Sequence, residues 1–388
     1  MHIIHVTTTL DIGGAQIMLR RFLEVACTSC DTHEVISLTP GGRTRFELER
    51  LGIEVFDLGM KSPARLPFAL RKLSRILRDR KPDVVHGWMY HGCLAAGLTA
   101  PRDVPLVMGI HHSLQNPRNE RLPTRVMLRM LAPISRRSAA VAYCGHSISE
   151  QHEAIGFARD RRVVIPNGID CDVFHPNAEA RGRLVDLAGI PPERVIIGNV
   201  TRNHPMKDVG MLVRALNRMV ADGVDAHLVL VGEGQPEGPA RLAAQVLGLD
   251  DRVTTLPARS DMEEIVPGFD IFALCSAWGE AFSLAMGEAM AAGVPSVTTD
   301  VGDGRWLLGD PDRIVPPRHD DKMAQVLSAL ARLSPAERHR LGMRDRDRVV
   351  SNFSLRSYAA AHRDMYRQIT EPRRVPDTGP AVHSLAGR

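Results

Sequence analysis

Short runs of aliphatic and β-branched residues recur along almost the whole chain, separated by segments long enough to form a helix. In the first half the runs read "HIIHVTT", "HEVISLT", "IEVFDLG", "DVVHGWM", "VPLVMGIHH", "AAVAYCG" and "RVVIP". The second half repeats the rhythm with "RVIIGNV", "HLVLVGEG", "RVTTLPA", "DIFALCS" and "SVTTDVG". Strands alternating with helical segments predict βαβ units and a parallel sheet. Two such series predict two Rossmann-like α/β domains, with ligands in the crevice outside the C-terminal ends of the strands. Between them lies "PNGIDCDVFHPNAEARGRLVDLAGIPPE", rich in Pro, Gly and Asn, which reads as a linker. The expected division is a first domain over 1–170, a linker over 171–193 and a second domain over 194–354. A terminal helix over about 355–370 precedes a tail, 371–388, that lacks periodicity and is expected to be disordered.

Composition narrows the class. The 388 residues are 44% hydrophobic and 24% charged, which describes a soluble globular protein of more than one domain. No apolar run approaches the roughly 20 residues of a membrane span. The start "MHIIHVTTTLDIGGAQ" lacks the marks of a signal peptide, so a cytoplasmic location is expected, either free or at the inner face of a membrane. Cys27 and Cys30 form a C-x-x-C with no second pair for zinc, inside a helix-like stretch, and read as helix-face cysteines. The excess of positive charge lies in the first half, concentrated in two amphipathic stretches at 61–81 and 118–137. Such a surface suits anionic lipid headgroups, or equally a solvated face. With 4% aromatic residues and no recognised motif, a nucleic-acid partner is not expected.

Candidate chemistry gathers where strands meet helices. In "SAWGEAFSLAMGEAM" a strand ends near Ser276 and a helix starts close to Phe282. The helix N-terminus offers unpaired N–H groups and partial positive charge, a site for an anion such as phosphate. Glu280 precedes the helix and Glu288 lies two turns inside it. The two carboxylates can therefore address opposite ends of one elongated ligand. Arg202 and Lys207 occupy the loop after the first strand of the second half, where two cations suit a diphosphate. Gly13 and Gly14 stand at the first strand–helix junction and let a ligand approach the backbone closely, although the dinucleotide fingerprint is absent. Gly232 and Gly234 in "VGEGQ" read as a turn after a strand. His111 and His112 close a strand at the ligand-binding edge, where a neutral imidazole can hydrogen-bond a hydroxyl or move a proton. His86 and His91 flank another strand end on the same side and are candidates for the acceptor side. No histidine spacing or acidic cluster signals a catalytic metal.

"GEAFSLAMGE" resembles the E-x(7)-E signature of retaining glycosyltransferase family 4, of GT-B architecture. "GGAQ", "VIPNGIDCDVF", the Arg-x(4)-Lys pair, "LVLVGEG" and "EAMAAGVPSVTTDVGD" are similar to the remaining signatures, in the same order, across residues 2 to 370. The resemblance implies a nucleotide-diphosphate sugar as donor and a glycan or lipid-linked acceptor, with no metal or other cofactor. Glu288 would hold the ribose, and Glu280 would contact the transferred sugar through the loop of Ala281, Phe282 and Ser283. Arg202 and Lys207 would neutralise the diphosphate, Gly14 would approach the donor, and His111 or His112 would lie by the sugar. The terminal helix would cross back onto the first domain. Glu280-Ala281-Phe282-Ser283 departs from the usual E-G-F-[GP]. "DVGD" at 300–303 is similar to a bacterial subgroup that builds polysaccharides on lipid carriers. A nucleotide-sugar epimerase of the same architecture and, more remotely, a two-lobed sugar-binding protein remain alternatives.

Overall fold

The computed structural model describes residues 1–11, 13–27, 30–114 and 120–371, apart from the side chain of residue 63. The expected disorder of the tail beyond 371 and the first residues of the second basic stretch lie outside the described residues.

Among the described residues, thirteen strands form two all-parallel sheets. The first comprises β1 (His2–Thr7), β2 (Thr32–Ser37), β3 (Glu54–Asp57), β4 (Val84–Trp88), β5 (Leu106–Ile110), β6 (Ala140–Tyr143) and β7 (Arg162–Val164), in the order β3-β2-β1-β4-β5-β6-β7. The second comprises β8 (Val195–Val200), β9 (Ala226–Val231), β10 (Val253–Leu256), β11 (Ile271–Leu274), β12 (Ser296–Thr299) and β13 (Ile314–Val315), in the order β10-β9-β8-β11-β12-β13. Each order reverses direction once, between β1 and β4 and between β8 and β11. The loops leaving those strands diverge there and open a crevice, the usual place for a ligand in an open α/β sheet. Every sequence-expected strand is present. β13 was not foreseen, because two residues carry no period.

Alternation along the strands sorts side chains to two covered faces, as a parallel sheet requires. On one face of the first sheet, Ile4, Val6, Val85, Met108 and Ile110 pack against the helices Leu66–Arg80, Met89–Thr99 and Leu122–Arg137. The other face carries Ile3, His5, Val84, His86, Trp88 and Val107, with His5 beside His86 in register. It is covered by the helices Gly14–Ala26 and Leu355–Thr370, through Phe22, Tyr358, Met365 and Tyr366.

The chain crosses between the halves twice, and the crossings lie side by side. Ile165 packs in the first core and Ile169 in the second; Phe353 packs in the second and Leu355 in the first. Ile169 N donates to Phe353 O and Leu355 N to Ile169 O, each at 2.8 Å. Much of the segment that reads as a linker is therefore integrated structure. The helix Ala180–Ala188 buries Ala180 and Leu184, with Leu184 and Ile190 in the second core, because its apolar positions recur at helical spacing.

Candidate active site

On the second sheet, the loops at the switch point carry the charged set. After β8 a short 3₁₀ turn, Pro205–Lys207, presents Lys207, and Asp208 follows in the left-handed region at φ 43°. Asp is among the few residues that accept that conformation. This loop is tied to the one after β11: Ala277 N donates to Met206 O at 2.7 Å, and the Cys275 thiol donates to Lys207 O at 3.0 Å. Burial holds the Cys275 thiol protonated, so it acts as a donor and not a nucleophile. Lys207 Nζ then meets Glu280 Oε2 at 2.6 Å, and Ser276 Oγ donates to the same oxygen at 2.5 Å. Glu280 is 8% exposed, so the pair is fixed at the base of the crevice.

Arg202 is exposed in the same loop and makes none of the ion pairs among the described residues, which leaves its guanidinium available to an anion. Its backbone is braced from β9. Asn203 N donates to Glu233 O at 2.7 Å, and the buried Gln235 donates from Nε2 to Thr201 O at 2.9 Å. Gly232 has φ 153°, and a Cβ there would stand 2.0 Å from Thr201 O. The "GEG" turn thus exists to hold the Arg202 loop.

The helix Leu284–Ala291 follows, with Ser283 as N-cap accepting from Met286 N at 3.4 Å. Ala281 is half-buried, while Phe282 and Ser283 are buried. Glu288 emerges about one turn along, nearer the helix start than the sequence suggested, and faces the first half. Its carboxylate is bonded by Arg21 Nη2 at 3.0 Å, the side chains being 16% and 13% exposed. Burial raises the Glu288 pKa, and Arg21 opposes that shift. The carboxylates have separate partners, Lys207 and Ser276 for one and Arg21 for the other, in keeping with two ends of a long ligand.

The first half supplies the opposite wall. A cavity of about 400 Å³ is lined by residues including Gly14, Gln16, Tyr90, His91, His111, His112, Glu120 and Thr124. Gly13 caps the first helix, and a Cβ built on Gly14 would meet nothing within 4 Å, so the space beside it is open to a ligand. His112 Nε2 lies 3.1 Å from Glu120 Oε1, and His91 is exposed on the cavity wall. His111 is half-buried, stacked on Trp88 at 5.3 Å, with Nδ1 3.2 Å from Asn167 Oδ1. Burial lowers its pKa to about 4.

His86 does not belong with them. It is fully buried on the helix-covered face of the sheet, with Nδ1 2.7 Å from Tyr366 Oη of the terminal helix. Its expected acceptor-side role is corrected: in β4 the alternation that brings Trp88 inward brings His86 inward too.

Among the described residues three residue pairs make polar contacts that join the walls, and the first half's partners in them were not found from the sequence. Besides Arg21–Glu288, Asn167 Nδ2 reaches Phe282 O at 3.5 Å, and Asp303 receives Ser147 N at 3.2 Å and Ser147 Oγ at 2.9 Å. Asp303 thereby caps the helix His146–Glu153 of the other half, and burial raises its pKa. Gly145 makes this possible, since a Cβ there would stand 1.9 Å from the carboxylate. The available signals were Asn167 in "PNGID" and Arg21, two helical turns beyond Gly14. Among the described residues no group of three or more His, Cys, Asp or Glu could hold a metal ion.

Residues 12–173 match the family model Glycosyltransferase Family 4, and residues 192–332 match Glycosyl transferases group 1. The chain is 29% identical to an MMP alpha-(1->4)-mannosyltransferase of Mycolicibacterium hassiacum, over 82% of this chain and 78% of that one. It is 30% identical to a D-inositol 3-phosphate glycosyltransferase of Xylanimonas cellulosilytica, over 75% of this chain and 73% of the relative. The crystal structure of Anabaena HepE in complex with UDP matches with a TM-score of 0.82 at 18% identity, over 95% of this chain and 100% of that one. WaaG, a glycosyltransferase involved in lipopolysaccharide biosynthesis, matches with a TM-score of 0.67 at 16% identity, over 96% and 100%. At such identities the likeness establishes the shared fold of two facing parallel sheets.

Proposed function

We propose that this chain, which belongs to glycosyltransferase family 4, transfers a hexose or related sugar from a nucleotide-diphosphate sugar to an acceptor hydroxyl, with retention at the anomeric carbon and no metal ion. That it is a glycosyltransferase of polysaccharide or glycolipid synthesis follows from its family and relatives. The donor and mechanism are our reading, carried by one observation: Lys207, Glu280 and the open Arg202 stand on adjoining loops at the second sheet's switch point.

The chemistry follows from the charges. Breaking the bond between sugar and diphosphate leaves negative charge on the departing phosphate. Arg202, Lys207 and the Ser283-capped helix start offer fixed positive charge and donors to it, the preorganised stabilisation that dominates many enzymatic barriers. Glu280, held by Lys207 and Ser276, is positioned to accept hydrogen bonds from sugar hydroxyls, and Glu288 from ribose hydroxyls. The UDP held by the Anabaena structure supports a nucleoside diphosphate as guest. Retention is what the similarity of "GEAFSLAMGE" to the family signature implies.

The cavity bearing His91, His112 and Glu120 would take the acceptor. It opens beside the helix Leu122–Arg137, whose outer side exposes Leu122, Val126 and Met130 among Arg129, Arg136 and Arg137. The helix Leu66–Arg80 adds exposed Phe68, Arg71, Lys72 and Arg75 on the same side of the sheet. Apolar tips among arginines suit the boundary of an anionic membrane, from which a lipid-linked acceptor could be presented. No helix among the described residues is long and apolar enough to cross one.

The transfer reading is tested by NMR of the anomeric proton while UDP-, GDP- and ADP-sugars are turned over in EDTA, with water as acceptor. The first free sugar released should carry the donor's anomeric configuration. An inverted sugar, dependence on added metal, or donor epimerised without release would overturn it.

A further inference from the structure

Asn167 is buried at 7% exposure in the first crossing between the halves, and the two ends of its amide face different walls of the crevice. One end meets His111 Nδ1 at 3.2 Å and the other meets Phe282 O, in the loop after Glu280, at 3.5 Å. A backbone carbonyl only accepts, so the end facing Phe282 must be the NH₂; turned round, two carbonyl oxygens would confront each other. The end facing His111 is then Oδ1, which also only accepts, so His111 Nδ1 must carry the hydrogen. In a neutral imidazole that leaves Nε2 as a lone pair. The ring cannot swing freely, because it lies flat on Trp88, which is itself held by donation from Nε1 to His5 Nδ1 at 3.1 Å.

We propose that Asn167 is a positioning residue that fixes His111 as its Nδ1–H tautomer only while the loop of Phe282 is drawn against it, so that Nε2 accepts a hydrogen bond from a hydroxyl of the donor sugar. His111 thus receives a hydroxyl proton and does not donate one, and it is set for that role when the two walls are together. The burial that keeps its imidazole neutral supports this. His86 and His362, on Trp88, are held neutral by burial as well, and His91, His112 and Glu120 share the cavity that His111 lines. The inference rests on the reading of His111 as a donor-sugar contact.

Nitrogen NMR of isotope-labelled histidine reads the tautomer directly, with His111 identified by the signal lost in His111→Gln. The wild type should show a protonated Nδ1. Asn167→Leu should shift His111 to the Nε2–H form and lower kcat for donor turnover by about tenfold or more, with KM for the donor nearly unchanged. A protonated Nδ1 and full turnover in Asn167→Leu, together with impaired His111→Gln, would overturn the inference and spare the site. Full turnover in His111→Gln would overturn the site reading on which it rests. If Asn167→Leu does not fold, the near-isosteric Asn167→Asp decides. Its carboxylate keeps the Nδ1–H but favours imidazolium, so turnover should fall on acidification near the ordinary imidazole value of about 6.5. An unchanged pH profile would overturn the proposal.

Discussion

The two halves of the molecule share a strand–helix rhythm but close their interiors with different chemistry. In the first half, one face of the sheet is a stack of rings. His86 lies on Trp88 at 4.6 Å, His362 is parallel to Trp88 at 6.1 Å, and His5 stands 5.7 Å from His86. A directed hydrogen-bond chain runs through it: Trp88 donates to His5 Nδ1, so His5 Nε2 must donate to His33 Nδ1, at 3.0 Å. In the second half one core is aliphatic, with Ile197, Leu212, Leu228, Leu230 and Met323 among its members, and the other adds rings that carry no titrating group, Phe269, Phe272 and Phe353 among them. Its main buried charge is the bidentate pair of Arg313 with Asp345, at 2.6 and 2.7 Å. The half that would hold the donor's charges is therefore framed by groups that do not titrate near neutrality. The half that would face the acceptor depends on imidazoles staying neutral.

The largest consequence concerns acid. Burial lowers His33, His111 and His152 to about 4 and His362 to about 3, below the ordinary imidazole value. Among the described residues of the second sheet, His227 is the one buried histidine similarly lowered, also to about 4. Once unfolded, each binds a proton that the folded state refuses, so the stability they confer is complete above about 6.5 and is lost as pH falls toward 4. The loss is roughly 1 kcal/mol per histidine per pH unit. Hydrogen exchange at pH 5 and pH 7 should show β1, β4 and β5 losing more protection than β8, β9 and β11. Equal loss in both sheets would erase the contrast.

A smaller effect concerns the surfaces. The first half's exposed arginines predict salt-sensitive association with anionic vesicles, read by flotation. Arg129→Gln should weaken it by about fivefold, the roughly 1 kcal/mol expected of one basic residue near such a surface. Partitioning that ignores salt, or none, would remove the membrane from the account.

How much of this was legible in the sequence follows the same division. Apolar runs marked both sheets, because strand formation is local and periodic. That Glu280, Lys207 and Arg202 come together at the crevice was legible because a βα loop at the C-terminal edge has one destination. His86 misled, since a histidine in a strand's last residues can face inward or outward depending on what covers the sheet. Here the cover is a helix from the far end of the chain, carrying Tyr366. Arg21, Asn167 and Ser147 escaped notice because their partners lie 267, 115 and 156 positions away, and such contacts exist only once the two sheets face each other.

The central claim is that Lys207 and its neighbours form a metal-independent site for a nucleoside diphosphate sugar. It is tested most directly by thermal unfolding in EDTA with UDP-, GDP- and ADP-sugars, on the wild type and on Lys207→Ala. A ligand that binds only the folded state stabilises it by about 2.7 kcal/mol at one hundred times its Kd. One nucleotide family should raise the Tm of the wild type and leave Lys207→Ala unmoved. No shift with any of them, or an equal shift in the variant, would contradict the account.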